Sequence, residues 1–266
     1  VLTRLSFGWN RPKIRILGAE FAGEVEAAGN KVTRFKPGDQ VFGYRGPAFG
    51  TYAEYLRMPE SGRVTIKPRN MTFDEAATVP YGALTALNLL RKANLQRGQN
   101  ALIIGASGKI GSYALQLAKR YGANVTGVCS TPRVEFVKAL GADAVVDYAT
   151  EDYTQTGKQY DLIFDVMNRG SFERCKNSLT ERGIYLLASF KTPQLWQMLV
   201  SPRDGKRVVC ALSAETTADL EHVKELVEAG AIKTIVDKRF PLERTADAHR
   251  YMESGQRAGN VAITIG

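Results

Sequence analysis

Cysteine and histidine are scarce in this chain, and each scarcity narrows its chemistry. Its three cysteines, Cys129, Cys175 and Cys210, are widely spaced and form no C-x-x-C pair. Neither a disulfide framework nor a cysteine-rich zinc site is indicated, and a reducing cytoplasm is the expected compartment. The two histidines, His222 and His249, fall on separate predicted helices near the end of the chain, where a satisfied or solvated imidazole is expected rather than a metal ligand. No apolar run approaches the roughly 20 residues of a membrane span, so no transmembrane segment is expected. The beginning of the chain also lacks a signal-like apolar region before a small-residue cleavage site, and the expectation is a soluble, cytoplasmic protein. Lysine and arginine exceed aspartate and glutamate by 36 to 27, a formal charge of +9, yet the cations are scattered. Without a tract of roughly five to eight basic residues, nucleic-acid binding is not expected, and a solvated surface with a polyanionic ligand explains the charge better. At 266 residues and 44% apolar content the chain has room for one large or two modest domains.

What is present is concentrated in Ala101-Leu-Ile-Ile-Gly-Ala-Ser-Gly-Lys-Ile-Gly111. An apolar strand-like run breaks into glycines and becomes an amphipathic helix, the pattern of a dinucleotide-binding βα turn. Ala106, Gly108 and Gly111 read A-x-G-x-x-G, with alanine at the usual first glycine, and permit a tight turn and close approach to a pyrophosphate. Helix N–H groups would meet the phosphates, with Ser107, Lys109 and Ile110 in the same turn. Ile110, Ala114, Leu117, Ala118 and Tyr121 then recur at helical spacing, and Gly122 ends the helix behind basic Lys119 and Arg120.

Dinucleotide choice is read about twenty residues further on, where an NAD site carries Asp or Glu. Here Val125 to Val128 leads into Cys129-Ser130-Thr131-Pro132-Arg133, with no carboxylate for a ribose 2′-hydroxyl. Hydroxyls and the Arg133 guanidinium suit a 2′-phosphate, so the expected cofactor is NADPH. One charge-assisted hydrogen bond at about 1.5–3 kcal/mol corresponds to about 10- to 100-fold preference. Ser130 and Thr131 also have a plainer reading as caps of the helix that Pro132 begins.

Apolar strands Val125 to Val128, Ala144 to Val146, Leu162 to Val166, Ile184 to Ala188 and Val208 to Leu212 are mostly separated by helical stretches. That alternation predicts an α/β fold with a doubly wound parallel sheet over residues 81–214, binding ligand at the carboxyl ends of its strands. Residues 1–80, with turn signals at Lys36-Pro37-Gly38-Asp39 and Lys67-Pro68-Arg69-Asn70, read as a compact β-rich unit. Residues 215–266 predict a helix near Asp219 to Gly230, a strand near Val236 to Phe240, a helix near Arg244 to Ser254 and a last strand from Asn260 to Ile265.

Leu17-Gly-Ala-Glu-Phe-Ala-Gly-Glu-Val25, Phe35-Lys-Pro-Gly-Asp-Gln-Val-Phe-Gly43, Gly141-Ala-Asp-Ala-Val-Val-Asp-Tyr148 and Gly259-Asn-Val-Ala-Ile-Thr-Ile265 follow one family in order. Over essentially its whole length the chain resembles the medium-chain dehydrogenase/reductase superfamily, within it the zinc-free quinone oxidoreductase, zeta-crystallin-like branch. The resemblance implies a Rossmann domain at 81–214 and a GroES-like catalytic domain at 1–80, to which 215–266 returns. It also implies that the opening strands of the GroES-like domain are missing, an N-terminally truncated arrangement. In zinc-dependent relatives a histidine stands where Ala19 lies in Gly18-Ala19-Glu20, and a cysteine where Tyr81 lies in Tyr81-Gly-Ala-Leu-Thr85. No structural-zinc lobe has room between Val41 and Tyr52, so no metal is expected.

By resemblance, Thr85 contacts the cofactor, Tyr148 joins Ser130 and Arg133 at the 2′-phosphate, and Met167, Asn168, Ser189 and Phe190 lie along the ribose and nicotinamide. Asn168 departs from the glycine common at its place. Asn260 matches a position near the cofactor, or simply begins the final strand. Tyr81 would point a phenol into the former metal position as the catalytic candidate, or serve packing at a helix start. Phe7 and Trp9, and Leu195, Trp196, Met198 and Leu199 before Ser201-Pro202, could cover a hydrophobic acceptor, with core packing the plainer reading.

The implied chemistry is hydride transfer from NADPH to a small hydrophobic electrophile, a quinone or an enone, without a metal or a flavin. A 2-alkenal or enoyl reductase is the alternative on the same scaffold, and a non-catalytic NADPH-binding protein the alternative of another class. A short-chain dehydrogenase is disfavoured because no tyrosine has lysine four residues on. Relatives are commonly dimers, so the resemblance implies a homodimer with Val208 to Leu212 as the candidate edge.

Overall fold

The computed structural model describes residues 14–202, 205–257 and 259–266. Along the chain run β1 (Glu20–Glu24), β2 (Gln40–Tyr44), β3 (Val64–Ile66), α1 (Phe73–Ala77) and α2 (Pro80–Ala93). Then come β4 (Asn100–Ile104), α3 (Lys109–Arg120), β5 (Asn124–Cys129), α4 (Val134–Ala139), β6 (Ala144–Asp147), β7 (Tyr160–Asp165), α5 (Phe172–Cys175), β8 (Leu179–Leu187), α6 (Thr192–Val200) and β9 (Arg207–Cys210). The chain ends with α7 (Thr217–Glu228), β10 (Val236–Pro241), α8 (Thr245–Glu253) and β11 (Asn260–Thr264).

These elements form two compact units. One takes the described residues up to Tyr81 with Thr216–Glu228 and Thr234–Gly266; the other takes Gly82–Glu215 and Ala229–Lys233. In the first unit, β1, β2 and β3 make an antiparallel sheet, with Glu20 opposite Tyr44 and Val41 opposite Ile66. A separate parallel pair joins β10 to β11. Thr72 and Glu75 close a reciprocal capping box at the start of α1, which satisfies two otherwise orphaned amides.

The second unit holds a six-stranded parallel sheet in the order β6-β5-β4-β7-β8-β9. The chain winds outward from β4 in one direction and resumes at β7 in the other, so the strand order reverses between these two strands, the point at which open α/β sheets bind ligands. Their central residues Leu102, Ile103, Ile163 and Phe164 are completely buried, as expected for strands covered on both faces. Strand β8 begins five residues before the predicted Ile184, at Leu179, because the exposed Glu181 and Arg182 interrupt its apolar run while a register shift between Tyr160 and Leu162 keeps it paired to β7.

Candidate cofactor site

The turn between β4 and α3 is built by steric necessity. Gly105 leaves the strand with φ +84°, and the amides of Gly105 and Ala106 both donate to the Val128 carbonyl at 3.1 Å. Gly108 N donates to Gly105 O at 2.9 Å to close the turn. A Cβ on Gly111 would lie 2.1 Å from Gly105 O, so the helix approaches the strand end this closely only with glycine there. Ala106 is fully buried and would stand 3.1 Å from a Cβ on Gly127. The positive-φ residue of the turn is therefore Gly105, which stands one residue before the A-x-G-x-x-G pattern begins. Ser107, Gly108, Lys109 and Ile110 are half-buried around the turn.

Gly108 is the N-cap of α3 and supplies no side chain to its first turn. The positive end of a twelve-residue helix thus receives no side-chain cap from its N-cap residue, a geometry that suits an anion. On α2, Thr85 is buried and its Oγ1 has no hydrogen-bond partner. An orphaned hydroxyl of this kind is normally completed by a ligand or water.

At the ends of β5 and β6, the Tyr148 amide donates to Cys129 O at 3.1 Å, which brings the half-exposed Tyr148 to the corner that carries Ser130 and Arg133. The plainer cap reading of Ser130 and Thr131 is overturned: Ser130 makes no side-chain cap, Thr131–Arg133 forms a 3-10 turn, and α4 starts only at Val134. The expectation that no carboxylate reaches this corner also needs correction. Strand register sets Asp147 opposite Cys129, a neighbour that reading only the end of β5 could not find. One Asp147 oxygen accepts from Ala149 N at 3.0 Å. Burial pushes the Cys129 thiol up to about 11; the Asp147 charge adds to the rise, and Arg133 opposes it.

Beyond β7 and β8, Met167 and Ser189 are exposed, Asn168 has φ +51°, and Phe190 packs partly against the sheet core. Core packing holds for Met198 but is overturned for its neighbours, since Leu195, Trp196 and Leu199 are 38%, 67% and 72% exposed on the outer face of α6. Phe7 and Trp9 lie outside the described residues. In the first unit, Tyr81 donates its amide to Glu20 Oε1 at 2.8 Å, and its ring, 37% exposed, lies 5.6 Å from that of Tyr44. Asn260 is buried at the start of β11; its Nδ2 donates to Thr234 Oγ1 at 3.0 Å, while its Oδ1 has no partner. His222 lies 3.5 Å from Glu225 and His249 packs edge-on against Tyr52.

Sheet order and glycine turn together define the class, an α/β protein with a doubly wound nucleotide-type domain. Residues 3–68 match the alcohol dehydrogenase GroES-like domain, and residues 140–263 match the zinc-binding dehydrogenase family. A chloroplast envelope quinone oxidoreductase homolog from Arabidopsis thaliana is 33% identical over 93% of this chain and 79% of its own length. A 2-methylene-furan-3-one reductase from Solanum lycopersicum is 32% identical over 95% of the chain, which spans only 64% of that reductase. The structure of a quinone oxidoreductase from Coxiella burnetii superposes with a TM-score of 0.87 at 26% identity, covering 100% of this chain and 83% of the other. The chain belongs to the medium-chain dehydrogenase/reductases, in their quinone oxidoreductase-like branch. Among the described residues no group of three or more His, Cys, Asp or Glu side chains is placed to hold a metal ion.

Proposed function

We propose that this protein is an NADPH-dependent, zinc-independent reductase that delivers hydride to a quinone. The observation that carries the reading is the uncapped start of α3 behind a turn that only glycine can close at Gly111. Ala106, Ser107, Gly108, Lys109, Ile110 and Gly111 would hold the pyrophosphate through backbone amides and close approach. Ser130, Arg133 and Tyr148 would hold the adenosine phosphate, with Arg133 supplying charge that offsets the nearby Asp147. Thr85, with its unpartnered hydroxyl, and Met167, Asn168, Ser189 and Phe190 would orient the nicotinamide half, with Asn260 a further contact.

When bound, reduced nicotinamide supplies a hydride from its C4, leaving the acceptor to gain one proton from solvent or a hydroxyl. The residues' task is then orientation and stabilisation of the oxyanion that develops on the acceptor. Tyr81, amide-anchored by Glu20, is the candidate donor of that hydrogen bond. The resemblance to a furanone reductase supports a second reading, reduction of an enone or 2-alkenal, which needs the same hydride and a different pocket. A homodimer in the cytoplasm completes the proposal.

The test is NADPH oxidation, followed at its absorbance band with 9,10-phenanthrenequinone, 1,4-benzoquinone and a 2-alkenal, beside an NADH control. Fastest turnover with a quinone and NADPH is the expected outcome. Preference for the alkenal selects the second reading. Binding of NADPH without turnover of any acceptor selects a non-catalytic NADPH-binding protein.

A further inference from the structure

The loops that follow β7 and β8 are tied to one buried carboxylate and to each other. Asp165, the last residue of β7, is fully buried and accepts four hydrogen bonds. Its Oδ1 accepts from the amides of Met167 at 3.1 Å and Arg169 at 3.3 Å. Its Oδ2 accepts from the amide of Gly170 at 2.7 Å and from the Tyr185 phenol of β8 at 2.8 Å. A buried charge is tolerable only when so fully partnered. Burial, with the adjacent Asp165 charge, pushes the Tyr185 phenol far above its ordinary range, so it stays a donor. A Cβ on Gly170 would stand 2.8 Å from Tyr185 Oη and 3.0 Å from Asp165 Oδ2, so the loop is drawn against the carboxylate as closely as glycine allows.

At the tip of this loop Asn168 adopts φ +51°, a left-handed conformation that asparagine tolerates better than most side chains. Its Oδ1 accepts from Gln194 Nε2 at 3.3 Å. Gln194 in turn accepts the Lys191 amide on its Oε1 at 2.9 Å, so it is anchored at the start of α6, in the segment that follows Ser189 and Phe190. One half-buried side chain therefore spans the two loops that leave the carboxyl ends of neighbouring strands.

We propose that Gln194 is a positioning residue: its bridge to Asn168, on the loop that Asp165 seats, presets both loops to receive the nicotinamide half of the dinucleotide. The inference rests on the cofactor reading above. Its physical content is preorganisation, because loops ordered before binding do not charge their ordering entropy to affinity.

The test compares wild type, Gln194→Ala, Asn168→Gly, the double variant and Asn168→Asp, which keeps an acceptor for Gln194. NADPH titrations give the dissociation constant, and hydrogen exchange of the free proteins reports residues 166–171. Each of Gln194→Ala and Asn168→Gly is expected to weaken NADPH binding about threefold to tenfold, the effect of one lost hydrogen bond, and to speed exchange in the loop. The double variant is expected to add no further loss, and Asn168→Asp to keep wild-type exchange protection. If Gln194→Ala costs as much in the Asn168→Gly background as in wild type, Gln194 acts elsewhere and the bridge is overturned. Wild type that binds NADPH with all variants equal to it sinks the bridge alone. Wild type that binds neither NADPH nor NADH sinks the cofactor reading with it.

Discussion

Gly111 illustrates how one atom decides a residue's identity. The atoms that a Cβ at this position would meet, Gly105 O at 2.1 Å and the Gly105 carbonyl carbon at 2.8 Å, are all backbone, so no side chain can swing aside. Gly111→Ala must push α3 off the end of β4, at an overpacking cost of about 1–3 kcal/mol. Urea unfolding is expected to show a lowered midpoint of that size; an unchanged midpoint would mean that the turn yields freely. This glycine was readable from its spacing, because the requirement is local. Asp147 was not: its place beside Cys129 comes from strand register, which no window around β5 contains. Tyr81 lies between these cases, since its helix-start position was legible while its amide bond to Glu20, 61 residues away, was not.

At the scale of elements, periodicity carried α3, α7, α8 and most strands of the parallel sheet, and failed where burial was uneven. Of the four apolar residues of α6 that could cover an acceptor or pack in the core, only Met198 turns onto the core cluster. Connections between elements were less legible, because they depend on polar side chains meeting across loops. Asp152, between β6 and β7, is an example: its Oδ1 accepts from the Thr154 amide at 2.9 Å and hydroxyl at 2.7 Å, and its Oδ2 from Arg174 of α5 at 2.9 Å. These bonds, the Thr154 amide foremost, hold its carboxyl down at about 2. A depressed folded-state value contributes stability that is fully present above the unfolded value of about 3.9 and is lost as pH falls through the folded one. Wild type and Asp152→Asn are therefore expected to differ by a constant amount near neutrality and to converge between about pH 4 and about pH 2. Urea midpoints measured across that range check it, and the half-exposed Arg174 pair makes the difference smaller in high salt. A gap that widens with acid would reverse the assignment.

For the whole molecule, the positive balance of 36 against 27 charges is dispersed, and a polyanionic dinucleotide is the ligand that the proposed function pairs with it. A cofactor that binds only the folded chain adds stability by mass action, about 2.7 kcal/mol when it is present at 100 times its dissociation constant. Thermal unfolding with NADPH is expected to shift upward progressively with concentration. NADH at equal concentration is expected to shift it less, and equal shifts would remove the basis for preferring NADPH.

Local chemistry in the sequence determined the glycine turn and the strand and helix alternation of the second unit, because each depends on residue type at short spacing, whereas Ala19 and Tyr81 stand out as replaced zinc donors only through the family resemblance. Only the tertiary structure decided which loops share the Asp165 carboxylate, that Asp147 stands beside Cys129, that Thr85 keeps an unpartnered hydroxyl and that Gln194 reaches Asn168. Apart from Thr85, those facts join residues that the parallel sheet brings together from separate points of the chain, and hydrogen bonds form by position in space whatever the separation along the backbone.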